Sequence, residues 1–346
     1  MSGSRQLFRM PARRLFKPIR AAALGAALVA AVTAPLPAQA APPSYVALGD
    51  SYSSGTGTRT YLSDGTSCQR STFAYPSLIA AARGYTLNFR ACSGAKIPDV
   101  TSTQLSALSS TTNYVSISVG GNDAGFADVL TECAKPSWLG NCDGKITTAQ
   151  NYIKNTLPTS LNTLYTSIRA KAPNAKVVVV GYPRIFNGED CNALTWFSPA
   201  EETKLNATAD LLNSKLAAAA SARGFSFANP TTRFVGHAVC DNPEWLNGLS
   251  NPISESYHPN KTGHSSGYTP EVSGLLTGAT LAVTQQVLAA SAASADALTR
   301  TQLKYAEADR RIEPKVFSIP DLTTPQAKAA ARKAGIDLEQ WLANQR

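Results

Sequence analysis

Four consecutive valines, Val177–Val180, leave this chain few architectures. β-Branched side chains favour a pleated strand. An apolar run with no polar alternation needs a strand buried on both faces, which in practice means a parallel sheet with helices on either side. The surrounding sequence has the matching rhythm. Tyr45–Leu48 reads as a short strand running into Gly49 and Asp50. Ala74–Arg83 reads as a helix ended by Gly84, Tyr85–Arg90 alternates like a strand, and Tyr114–Val119 is a strand bounded by Gly120 and Gly121. Ile146–Lys171 is helical but split by Pro158. Pro199–Arg223 is a helix with Ser198 as N-cap and Pro199 in its first turn. Phe225–Ala228 is a last strand, and Thr269–Ala290 a final helix capped by Thr269. Strands alternating with helices predict an α/β fold, a three-layer α/β/α sandwich around a central parallel sheet. With 346 residues, 43% of them hydrophobic, the chain can bury a sizeable core, which excludes a disordered polymer.

The formal net charge of +9 raises nucleic acid or an anionic membrane as a partner. Where the charges sit removes that reading. Arg5, Arg9, Arg13, Arg14, Lys17 and Arg20 precede the apolar stretch Ala21–Val32, and Ala38 and Ala40 stand at −3 and −1 of a cleavage point after Ala40. This pattern predicts a secretory signal peptide over residues 1–40. The apolar run is too short for a stable membrane anchor. Arg13-Arg14 admits twin-arginine as well as general export. Without these forty residues the balance is 26 basic against 23 acidic, with no basic run interleaved with aromatics. The expected protein is secreted, monomeric and does not bind nucleic acid. It divides into the signal, one domain over residues 41–290 and a C-terminal helical extension, 291–346, of unknown role.

The six cysteines agree with export. Pairing in sequence order, Cys68–Cys92, Cys133–Cys142 and Cys191–Cys240, is the simplest of their 15 arrangements. Zinc ligation is disfavoured because the chain has no CxxC motif. No metal or other cofactor is expected.

In parallel sheets, sites form at the carboxyl ends of the strands. Polar, glycine-rich segments follow the first three strands here: Gly49–Gly55, Cys92–Ala95 and Gly120–Asp123. Ser51 stands where strand becomes helix, so its hydroxyl is available as a nucleophile and its N–H as an oxyanion donor. Its base is sought among three histidines, His237, His258 and His264. His258 lies in a polar loop. Its Nδ1 is within reach of the Glu255 carboxylate or of a main-chain carbonyl of Glu255 or Ser256. His237 is flanked by apolar residues and reads as structural. Gly263–Gly267 matches the G-x-S-x-G elbow, but no buried strand precedes it and no histidine follows, so Ser265 is rejected. Gly94 offers an unobstructed N–H and Asn122 a side-chain amide, which with the Ser51 N–H makes three donors for an oxyanion.

These four blocks, in this order, resemble the SGNH (GDSL) hydrolases, in particular their secreted actinobacterial lipase and esterase branch. The resemblance spans residues 44–290. It implies a flavodoxin-like sheet, Ser51 as nucleophile, His258 as base, and an oxyanion hole from Ser51, Gly94 and Asn122. It also implies three disulfides. Most of the family carries Asp three residues before the histidine, where this chain has Glu255; some members of the branch use a main-chain carbonyl instead. The expected function is a serine carboxylic ester hydrolase acting on an ester or lipid, such as an esterase, lipase or phospholipase A. The alternatives are an acyltransferase with the same acyl-enzyme and a non-catalytic binding module.

Overall fold

The computed structural model describes residues 41–344; the expected signal peptide and its cleavage after Ala40 lie outside them. Five parallel strands, β1 (Ser44–Gly49), β2 (Thr86–Phe89), β3 (Tyr114–Ser118), β4 (Lys176–Val180) and β5 (Ser226–Ala228), pair in the order β2-β1-β3-β4-β5. This is the flavodoxin-like order, with its switch point where β1 lies between β2 and β3. The valine run is the interior of β4, with all four side chains at most 2% exposed. Burial of each stabilises the sheet by about 1.5–3 kcal/mol relative to exposure.

The helices are α1 (Ser51–Ser54), α2 (Tyr75–Arg83), α3 (Ile97–Asp99), α4 (Phe126–Cys133), α5 (Cys142–Asn155), α6 (Leu157–Lys171), α7 (Pro199–Ser221), α8 (Thr269–Thr277), α9 (Gln285–Ala293), α10 (Ala295–Leu303), α11 (Ala306–Asp309), α12 (Pro325–Lys333) and α13 (Leu338–Ala343). α2 and α8 pack together on one side of the sheet, and α4–α7 form the other layer. Pro158 separates α5 from α6 by sitting in the first turn of the second, where its missing N–H costs nothing. Ser198 caps α7 through a reciprocal box with Glu201.

The predicted final helix is corrected. Gly278, at φ +78°, ends α8, and a separate helix, α9, begins after Thr284. Thr269 does not cap; the chain enters α8 through a π-helical turn over Gly263–Tyr268, and the Thr269 hydroxyl donates to the His264 carbonyl at 2.8 Å.

The cysteines pair in sequence order, Cys68–Cys92, Cys133–Cys142 and Cys191–Cys240. The first ties the loop after α1 to the loop after β2. Residues 291–344 do not stand apart: they belong to the same compact unit as the sheet. α9 packs on α2, and α10 on the edge strand β2.

Candidate active site

The first three glycine-rich segments converge at the switch point. Gly49 ends β1 at φ +119°, and a Cβ there would stand 2.2 Å from the Ser118 carbonyl oxygen, so only glycine brings β1 this close to β3. Asp50 then caps α1. Its buried carboxylate accepts from the Tyr52 N–H at 3.1 Å, from Ser118 Oγ at 2.6 Å and from the Tyr182 hydroxyl. Burial pushes its pKa up to about 6 against the pull of those hydrogen bonds. Ser51, the first residue of α1, is thereby fixed with 6% of its surface exposed.

His258 comes to Ser51 from 207 residues away, with Nε2 2.9 Å from Ser51 Oγ. Its Nδ1 lies 2.9 Å from the main-chain carbonyl of Ser256, which fixes the tautomer with the proton on Nδ1 and leaves Nε2 as acceptor. Of the orienting groups expected, the Ser256 carbonyl is the one that reaches the ring, and the Glu255 carboxylate is not. Glu255 accepts from the Tyr61 hydroxyl at 2.6 Å and pairs with Arg59 at 3.4 Å. Ile253–Glu255 form a 3-10 turn, and Tyr257 then takes the left-handed conformation at φ +61°. That reversal aims the Ser256 carbonyl, not the Glu255 side chain, at the ring. For a bulky residue it costs about 1–3 kcal/mol. The surroundings hold it in place. The Tyr257 N–H donates to the Asn247 carbonyl and the Asn247 N–H to the His258 carbonyl, both at 2.9 Å. The Tyr52 hydroxyl donates to the Tyr257 carbonyl at 2.7 Å. The Tyr257 ring is buried against Phe186, Phe197 and Phe317. Tyr52, Asn247 and Tyr257 are thus positioning residues with no local sequence signal.

The expected oxyanion donors line the same cavity as Ser51 and His258. Among the described residues the N–H groups of Ser51 and Gly94 have no hydrogen-bond acceptor. Asn122 donates one amide hydrogen to the Ala95 carbonyl at 3.1 Å and keeps the other. Its neighbour Asp123 accepts from the Ile97 N–H at 3.1 Å. The loops after β2 and β3 are therefore bound to each other, and the Cys68–Cys92 bridge fixes the first of them.

The other two histidines lie elsewhere. His264 is fully buried, accepts weakly from the Tyr75 N–H, and is pushed down to about 3 by its burial. His237 stacks on Trp245 with ring centroids 3.7 Å apart. Ser265 sits in the π-helical turn and bonds the Thr262 carbonyl.

The cavity that Ser51 lines includes an apolar cleft formed by Val129 and Leu130 of α4, Ile153 of α5 and Leu205 and Leu212 of α7, together with Ile185 and Phe186. Such a surface takes a hydrocarbon chain, at about 0.8 kcal/mol for each methylene buried. No described helix is long and apolar enough to cross a membrane.

Residues 47–265 match the GDSL-like Lipase/Acylhydrolase family. Lipase 1 of Streptomyces coelicolor (strain ATCC BAA-471 / A3(2) / M145) is 49% identical over 255 residues, 73% of this chain and 94% of that one. The crystal structure of the extracellular lipase of Streptomyces rimosus superposes with a TM-score of 0.64 at 44% identity, covering 67% of this chain and 99% of that one. That of phospholipase A1 from Streptomyces albidoflavus NA297 gives 0.64 at 43% identity, over 67% and 98%. On this similarity the chain belongs to the GDSL-like lipase/acylhydrolase family and is a carboxylic ester hydrolase.

Proposed function

We propose that the protein is a secreted lipase or phospholipase A that cleaves esters of apolar acyl chains through a Ser51–His258 dyad. The observation that carries this reading is the 2.9 Å approach of His258 Nε2 to Ser51 Oγ beside an apolar cleft, with Nδ1 engaged by a carbonyl. His258 Nε2 takes the Ser51 proton as Oγ attacks the acyl carbonyl. The N–H groups of Ser51 and Gly94 and the free amide hydrogen of Asn122 hold the tetrahedral oxyanion. Collapse breaks the ester bond, and His258 returns the proton to the departing alkoxide. Water then attacks the acyl-enzyme, giving its proton to His258, and the acid leaves as Ser51 is reprotonated. The main-chain carbonyl of Ser256 stabilises the imidazolium formed at each step. Activity lies outside the cell, after removal of residues 1–40.

An active-site phosphonate is expected to label wild-type protein at Ser51 and to leave Ser51→Ala unmodified. The labelled enzyme loses hydrolysis of p-nitrophenyl esters and of a diacyl phospholipid together. Equal labelling of Ser51→Ala, or ester hydrolysis that survives labelling, excludes the mechanism. Asn122→Ala removes one oxyanion donor and is expected to lower kcat by about 10²–10³-fold with KM little changed. Steady-state kinetics on one short ester checks it; a rise in KM at constant kcat would make Asn122 a substrate-binding group only.

A further inference from the structure

Beyond residue 265, where the family match ends, the C-terminal segment returns to line the cavity that holds Ser51. It is first locked to the sheet. Asp309, at the end of α11 and fully buried, receives Arg70 at 2.5 Å and Arg90 at 2.7 Å. Ile312 follows, 2% exposed. Pro314 then lies on Gly94: a Cβ built on that glycine would stand 2.3 Å from the Pro314 Cα. Gly94 is thus held without a side chain both by its φ of +83° and by the strap that crosses it. Next, Lys315 pairs with Asp128 of α4 at 2.6 Å, and the Ser318 N–H donates to Thr131 Oγ1 at 3.0 Å. Phe317, 5% exposed, sets its ring 5.1 Å from that of Tyr257, the residue whose turn aims the Ser256 carbonyl. Downstream, Trp341 rests on Trp138 and Trp196. The strap therefore spans from the Gly94 loop to α4 and is tied down on both sides. Pro314, Lys315, Val316 and Phe317 share the cavity with Ser51 and His258.

We infer that residues 313–319 form the outer wall of the acyl cleft, and that Val316 and Phe317 set which acyl chains the enzyme accepts. A wall fits better than a plug. Among the described residues, no strap carbonyl accepts from Ser51, Gly94 or Asn122, and Pro314–Phe317 line one cavity together with the apolar residues of α4, α5 and α7. The buried anchor at Asp309 also makes the strap a fixed part of the site. The inference rests on the reading of Ser51 as the nucleophile, so the acyl group starts at Ser51 and runs under the strap.

The test uses the full chain and reads the ratio of kcat/KM for a palmitoyl over a butyryl p-nitrophenyl ester, with active sites counted by phosphonate labelling. Phe317→Ala widens the cleft, and the ratio is expected to rise by about tenfold or more. Val316→Trp narrows it, and the ratio is expected to fall by a similar factor. One methylene in a fitted apolar pocket already discriminates by about tenfold. Phe317→Leu serves if the alanine variant fails to fold, with a smaller rise expected. Variants that label and hydrolyse esters at an unchanged ratio overturn the inference and leave the dyad intact. Loss of labelling in wild-type protein as well would overturn the dyad itself.

Discussion

His258→Ala is expected to lower kcat for ester hydrolysis by about 10⁴-fold, whereas Glu255→Gln leaves it within about tenfold. The two residues stand three apart in sequence, but only one reaches Ser51. His258 Nε2 meets Ser51 Oγ at 2.9 Å, while the Glu255 carboxylate is turned to Tyr61 and Arg59. A glutamine still accepts from Tyr61, and the Ser256 carbonyl still orients the ring. The pH profile gives an independent check. The ring edge is partly exposed, yet burial pushes the imidazole below its ordinary 6.5 to about 4, with the bond to Ser256 opposing. Its neighbours are a serine hydroxyl, the Ser256 carbonyl and the Tyr52 ring, 5.3 Å away. Among the described residues no carboxylate is bonded to it to hold a proton on. The neutral ring, the form that accepts a proton, therefore prevails above the lowered pKa, so His258 itself should put no acid limb on kcat/KM between neutral pH and about pH 5, and a limb near 6 that Glu255→Gln does not move belongs to Asp50, whose carboxylate fixes Ser51. An acid limb near the ordinary histidine value, moved by Glu255→Gln, would put the glutamate back in the role of orienting group.

That outcome turns on a feature with no local signature. The strands, their parallel pairing and the glycine-rich ends carrying Ser51, Gly94 and Asn122 are written in short patterns: a valine run, polar turns and N-caps. Each of these depends on residues a few positions apart. The partner of His258 Nδ1 depends instead on the backbone of Tyr257, held left-handed by Asn247, Tyr52 and three aromatic rings from distant segments. Nothing in the Ser254–His258 stretch encodes that reversal, so the sequence leaves the Glu255 carboxylate and the carbonyls of Glu255 and Ser256 as equal candidates. The strap was equally hidden. Pro314 on Gly94 is a contact across 220 positions, and no pattern links the two residues in the sequence. The missed break at Gly278 is of another kind. A lone glycine in an apolar stretch is ambiguous until its φ is known.

Asp309→Ala is expected to destabilise the protein by about 3–5 kcal/mol, because it leaves the buried Arg90 guanidinium with no carboxylate and Arg70 with Asp64 alone. Arg70 and Arg90, with Asp64 and Asp309, form a balanced set of two positive and two negative side chains, none more than 2% exposed. Arg90 also lies over the Tyr305 ring at 3.9 Å, and Arg70 donates to the Ala91 carbonyl at 2.9 Å, three residues before Gly94. Water cannot take over from Asp309 without opening this cluster. The loss should therefore appear as a Tm lowered by at least about 6 °C, and salt should do little to mask it, because a buried pair is poorly screened. Lys315→Ala is the counterpart. It breaks the pair with Asp128, which is 65% and 37% exposed, and should cost at most about 1 kcal/mol. Both changes touch the same strap, so thermal unfolding of the two variants side by side separates its anchor from its surface contacts. An Asp309→Ala protein that unfolds like wild type would mean that the arginines are satisfied without the extension, and that the strap rests on the cleft without being built into it.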